Sequence, residues 1–134
     1  MLAIKKITFA IFLVSGLILS SFNSNAQIPS EIILSLETGN SKILSDYFNQ
    51  NVELVVLDND NVYSKAQAKQ IVNNFFNSHT PEPKGFSILH QGGKEGAKYV
   101  IGNLITNNGS FRVYFLLKKD GGKEYIHQLR IEKK

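Results

Sequence analysis

The sequence predicts an α+β domain, with N-terminal helices packed on one face of a curved antiparallel β-sheet. Three observations lead there. The first 26 residues differ in composition from the rest and read as a removable leader. Apolar residues then recur at helical spacing up to Phe76. Beyond Pro81 and Pro83, four runs rich in β-branched and aromatic residues follow one another across short Gly- and Asn-containing linkers.

The leader has three parts. Lys5 and Lys6 supply a positive start, Ile7 to Leu19 an apolar stretch, and Ser24 and Ala26 the small residues at −3 and −1 of a cut before Gln27. The apolar stretch is shorter than the roughly 20 residues that span a bilayer. No cysteine follows it for lipid attachment, and no second apolar run occurs. The expectation is export to the periplasm or beyond, with a Gram-negative envelope as the setting, and a soluble mature domain over 27–134. All 11 acidic residues but only 13 of the 15 basic ones lie in that mature part, so its formal net charge is +2. A charge this small offers no basic face for nucleic acid. With no cysteine in the chain, no disulfide can stabilise it, and its core must do so. About 100 residues suffice for that.

Within the mature part, Ser30 is placed to cap a first helix carrying Ile32, Ile33 and Leu36, which Gly39 would end. Ile43, Leu44, Tyr47 and Phe48 repeat the spacing as a second short helix. Val52 to Leu57 reads as a strand, Asp58 to Asn61 as its turn, and Val62-Tyr63 as a brief return. Ser64 and Gln67 match a capping box opening a long helix, whose stripe is Ala68, Ile71, Val72, Phe75 and Phe76. The four later strands are expected at 86–91, 98–106, 110–118 and 123–131, with a type I′ hairpin turn at Asn108-Gly109 and a tight turn at Asp120-Gly121-Gly122. Alternation puts Phe111, Val113, Phe115 and Leu117 on one face, joined by Tyr125, His127, Leu129 and Ile131 of the last strand. The opposite row, Arg112, Tyr114 and Leu116 with Ile126, Gln128 and Arg130, suits solvent or a dimer partner.

This order of elements resembles the nuclear transport factor 2-like fold, a cone of strands closed by helices. The stretches Leu89 to Gly96, Phe111 to Lys118 and Ile126 to Ile131 are also similar to an uncharacterised family of exported Bacteroidota proteins assigned to that fold. The resemblance implies a pocket at the open end of the cone and often a homodimer through the outer sheet face. It implies no catalytic residue here, and its known members include isomerases, dehydratases, adaptors and plain ligand binders, so fold alone decides no function.

Candidate chemistry is sparse. His79, His90 and His127 lack any paired metal-ligand spacing, so no metal site and no cofactor is expected. Gly92-Gly93-Lys94-Glu95-Gly96 lacks the order of a phosphate loop and is followed by a strand. Asp58-Asn59-Asp60-Asn61 starts like a calcium loop, but Tyr63 and Lys69 stand where glycine and glutamate belong. Asn108-Gly109-Ser110 matches a glycosylation sequon and serves better as a hairpin. The leading expectation is a non-enzymatic exported domain that binds a small apolar ligand or an envelope protein, with Tyr47, Tyr63, His90 and His127 as pocket candidates. A second is a small isomerase- or hydrolase-type enzyme pairing His127 with a carboxylate, Asp46 and Glu53 being the acids nearest the expected cone. A third is a homodimer module using Arg112, Tyr114, Gln128 and Arg130.

Overall fold

The computed structural model describes residues 27–134; the expected leader, residues 1–26, lies outside the described residues. Two short helices, α1 (Ser30–Thr38) and α2 (Ser41–Asp46), lead into β1 (Phe48–Val56) and β2 (Asn59–Ser64). Helix α3 (Lys65–Ser78) follows, then β3 (Pro81–Lys94), β4 (Ala97–Thr106), β5 (Gly109–Asp120) and β6 (Lys123–Lys133). All six strands form one sheet in the order β2-β1-β6-β5-β4-β3.

The α+β class and the helices-on-sheet layering hold, but two expectations need correction. The sheet is mixed, because β1 runs parallel to β6 while every other pair is antiparallel. The crossover carrying the chain from β1 through α3 to the far edge makes this geometry available to β6 on its return. The sheet is also not closed into a cone: β2 and β3 end it as separate edges.

Local chemistry explains the helix boundaries. Ser64 Oγ accepts from Gln67 N–H and Ser64 N–H donates to Gln67 Oε1, both at 3.2 Å, so the capping box forms. Asn40 caps α2 by accepting from Ile43 N–H. Gly39 ends α1 with φ of 69°, a left-handed conformation that suits glycine. Ser30 is not the α1 cap: it is the first helical residue, and the cap position belongs to Pro29, whose side chain has no acceptor. The second helix is also shorter than its apolar spacing suggests, since Phe48 already belongs to β1.

Two turns differ from expectation. The β1–β2 turn is Leu57-Asp58, with Leu57 at φ 53°, so Asn59 to Asn61 pair with β1 instead of forming the loop. The β4–β5 turn is Asn107-Asn108, closed by Thr106 and Gly109. Neither turn asparagine has positive φ, so it is not type I′. Thr106 Oγ1 stabilises it by donating to Gly109 C=O and accepting from Asn108 N–H. Gly121 and Gly122, at φ 60° and 83°, do form a tight turn between β5 and β6.

The core lies between helices and sheet. Ile32, Leu36, Leu44, Ala68, Val72, Phe75 and Phe76 meet Val52, Leu54, Val100, Leu104 and the β5 row Phe111, Val113, Phe115 and Leu117. On β6 the expected row is broken. Leu116 pairs with Gln128 but Leu117 with Ile126, leaving His127 as the extra residue of a bulge. Leu129 and Ile131 face inward as expected, but Ile126 takes the next inward place and is fully buried. Tyr125 and His127 therefore leave the inner row assigned to them, because one extra residue reverses the alternation.

Candidate functional site

An apolar cleft opens between α1 and β3. Pro29 fixes the chain entering α1, and Ile32 and Leu36 anchor the helix in the core. That leaves Ile33 half-buried and Leu34 51% exposed on the flank nearest β3. Strand β3 presents Ile88 and Gln91, which pair with the inward positions Gly102 and Val100 of β4. A bulge at Leu89 lies between them. At Gly102 an added Cβ would come within 2.7 Å of Phe86 Cζ, so the missing side chain is what lets the Phe86 ring lie there. The cleft is lined by Ile28, Ile33, Leu34 and Ile88 with Gln27, Ser30, Glu31, Glu37 and Gln91, and has a volume of about 640 Å³. This is within the range of about 300–1,000 Å³ usual for small-molecule sites.

Its polar side chains are two acids, two amides and the hydroxyl of Ser30. Glu31 Oε2 accepts from Tyr47 Oη at 3.0 Å. Behind the N-terminal end of the cleft, Lys98 is buried and paired: its Nζ donates to Gln27 C=O and to Glu124 Oε1, each at 3.0 Å. Such a buried cation is tolerated because both contacts replace lost water.

The four pocket candidates are not brought together. Tyr47 ends α2 beside a second, more polar cleft of about 560 Å³ that also includes Pro29, Glu31, Lys65 and Tyr125. Burial, and then the bond to Glu31, push its hydroxyl above the usual tyrosine range. Tyr63 lies on β2 opposite Val52, half-buried against the core. His90 is exposed on β3, its Nε2 2.9 Å from Tyr99 Oη. His127 occupies the β6 bulge, half-buried, with Nε2 enclosed and without a hydrogen-bond partner. Burial lowers its pKa and Lys118 adds to the effect, against the opposing pull of Asp120 and Glu53. His79 is elsewhere again, at the end of α3, stacked on Phe75 at 4.5 Å. Among the described residues no cluster of three His, Cys, Asp or Glu could hold a metal ion, and no helix is long and apolar enough to cross a membrane.

The four dimer-face candidates do share one surface. Tyr114 pairs with Arg130, Leu116 with Gln128, and Arg112 with Glu132 across β5 and β6. Arg130 Nε donates to Glu132 at 2.8 Å and Gln128 Nε2 to Glu53 at 2.6 Å. Tyr99 stacks toward Tyr114 with ring centroids 6.4 Å apart. A smaller polar cleft of about 340 Å³, containing Glu53, Asp60 and Arg130, adjoins this face.

Sequence reasoning missed the cleft residues Leu34, Ile88, Gln91, Glu31 and Glu37. One signal was available: α1 carries Ile33 and Leu34 beside its core stripe, more apolar surface than one buried face requires.

A family model described as a domain of unknown function, DUF4783, matches residues 29–132. Among solved structures, a DUF4783 protein from Bacteroides ovatus is 35% identical, with a TM-score of 0.75 over 82% of this chain and 98% of that one. A second, from Bacteroides uniformis, is 33% identical, with a TM-score of 0.75 over 81% of this chain and 98% of that one. A protein named Rd1NTF2_04 with long sheet is 19% identical, with a TM-score of 0.57 over 76% of this chain and 94% of that one; this likeness concerns the NTF2-like fold alone. No curated protein matches the chain.

Proposed function

Since the chain belongs to the DUF4783 family, whose description carries no activity, we propose that it is an exported, non-enzymatic binding domain whose α1–β3 cleft takes a small apolar ligand. One observation carries the reading: Ile28, Ile33, Leu34 and Ile88 converge on a single cleft, and Leu34 and Ile88 remain 51% and 41% exposed there. Large apolar side chains gathered in a concavity cost solvation free energy that a ligand recovers.

Export rests on the three-part leader and the small residues before Gln27, where processing would begin the mature chain. The enzyme alternative is weaker. It requires a carboxylate beside an enclosed histidine, whereas His90 bonds Tyr99, His79 contacts Phe75 C=O, and His127 Nε2 has no partner among the described residues.

Native mass spectrometry of protein purified from its own host tests the proposal. The expected spectrum is a chain beginning at Gln27 with a bound apolar compound, which Leu34→Glu removes. An exported chain retaining residues 1–26 would contradict processing. A ligand-free protein that also fails to take up a medium-chain alkanol would contradict the binding role.

A second reading has its own observation. The outer face of the sheet carries half-buried Tyr99, Ile101, Tyr114 and Leu116 between Arg112, Gln128 and Arg130, with Ile105 50% exposed. An apolar centre with a polar rim suits a homodimer interface. Sedimentation at micromolar concentration should then show a dimer that Tyr114→Glu dissociates, and a monomeric wild type would remove this reading.

A further inference from the structure

The cleft between α1 and β3 has a charge pattern its apolar lining does not require. Both ionisable side chains that line it are carboxylates, Glu31 and Glu37, and no basic side chain lines it. Lys98 touches the edge only through the Gln27 carbonyl and is paired with Glu124.

The two acids have different local explanations. Glu31 sits in the first turn of α1, where the helix dipole favours a negative charge, and it is bonded to Tyr47. Glu37 sits in the last turn, where the dipole disfavours a carboxylate, and that turn has no basic residue to offset it. Glu37 is half-buried and, among the described residues, forms no ion pair and accepts no hydrogen bond. Helix stability therefore gives no reason for an acid at this position, but the cleft gives one: Glu37 lines it together with Leu34 and Ile88.

We propose that the cleft selects cationic amphiphiles, an apolar chain lying on Ile33, Leu34 and Ile88 with an ammonium-type head held by Glu37 and, secondarily, Glu31. This rests on the apolar-ligand reading of the same cleft and adds the head group. A neutral chain satisfies the apolar floor alone. An anionic head would meet two like charges, and a cationic head would gain at both.

Calorimetry of the purified protein with decyltrimethylammonium, decanol and decanoate, all below micelle formation, separates the two claims. Work at about pH 9.5 leaves any α-amino group at Gln27 uncharged, while both carboxylates and the quaternary ammonium keep their charges. The expected order is decyltrimethylammonium at least about five-fold tighter than decanol, the scale of one partly exposed charge pair, with decanoate weakest. Glu37→Gln should erase most of that preference while leaving decanol binding unchanged, and Asp58→Asn, in the β1–β2 turn at the opposite edge of the sheet, should change neither. Decanoate binding as tightly as the cation, or a preference that survives Glu37→Gln, would overturn the head-group inference and leave the apolar cleft standing. Binding of none of the three probes would overturn both.

Discussion

The β4–β5 pair and the strands flanking it obey different rules. Between Ala97–Thr106 and Gly109–Lys118 the register runs without interruption, and inward and outward residues alternate throughout. In the flanks the register slips: between Phe48 and Glu53 on β1, at Leu89 and between Pro81 and Phe86 on β3, and at His127 on β6. The regular pair forms the floor of the core. The Phe48–Glu53 and Leu89 slips lie beside clefts, and the His127 slip holds an enclosed polar group. Regular pairing makes a buried face, and interrupted pairing makes the concavities and re-aims side chains into or out of them.

The largest expected effect tests the regular pair. Phe115→Ala empties a fully buried site and should cost about 3–5 kcal/mol in chemical denaturation, whereas Leu116→Ala, one residue on and half-buried on the other face, should cost well under half of that. Equal costs would mean the two faces of β5 are not distinct. The next effect probes a flank. Gly85 lies in the β3 irregularity, where a Cβ would meet Ile105 O at 2.5 Å and Glu82 O at 2.8 Å. Gly85→Ala should cost about 1–3 kcal/mol because backbone must move to admit the methyl group. A neutral outcome would show that this bend is soft.

Smaller effects sharpen the contrast. Ser64→Ala removes one arm of the capping box and should destabilise by about 1 kcal/mol, with Ser64→Asp retaining most of the stability. The smallest concerns the β6 bulge. His127 has a folded-state pKa below its unfolded value, so the folded protein resists protonation there. Its stability contribution is complete above an unfolded histidine pKa of about 6.5 and is lost as pH falls through the lower folded value. The melting temperature should decline on acidification across that window, and less steeply in His127→Gln. Equal slopes would remove His127 as the source.

The same contrast explains what was legible in the sequence. The capping box at Ser64 and Gln67, the stripe from Ala68 to Phe76 and the β5 row from Phe111 to Leu117 depend on neighbours along the chain, and the structure contains all of them. The parallel pairing of β1 with β6 depends on residues some 75 positions apart, such as Glu53 and Gln128, and no local pattern encodes it. A bulge is invisible to an alternation argument because one inserted residue changes only the phase. Alternation accordingly puts Tyr125, His127 and Ile126 on the wrong faces, and Leu129 and Ile131, beyond the bulge, on the right one. The cleft was hidden for a similar reason: Leu34 and Ile88 lie on α1 and β3, and only the fold brings them together.

Amide chemical-shift mapping with decanol tests the central claim most directly, because it reports where an apolar molecule sits. Saturable shifts concentrated on Ile33, Leu34, Glu37, Ile88 and Gln91, and abolished by Leu34→Glu, are the predicted result. Shifts centred on Tyr99, Tyr114 and Leu116, with α1 unmoved, would contradict it and assign the exposed apolar surface of this protein to the opposite face of the sheet.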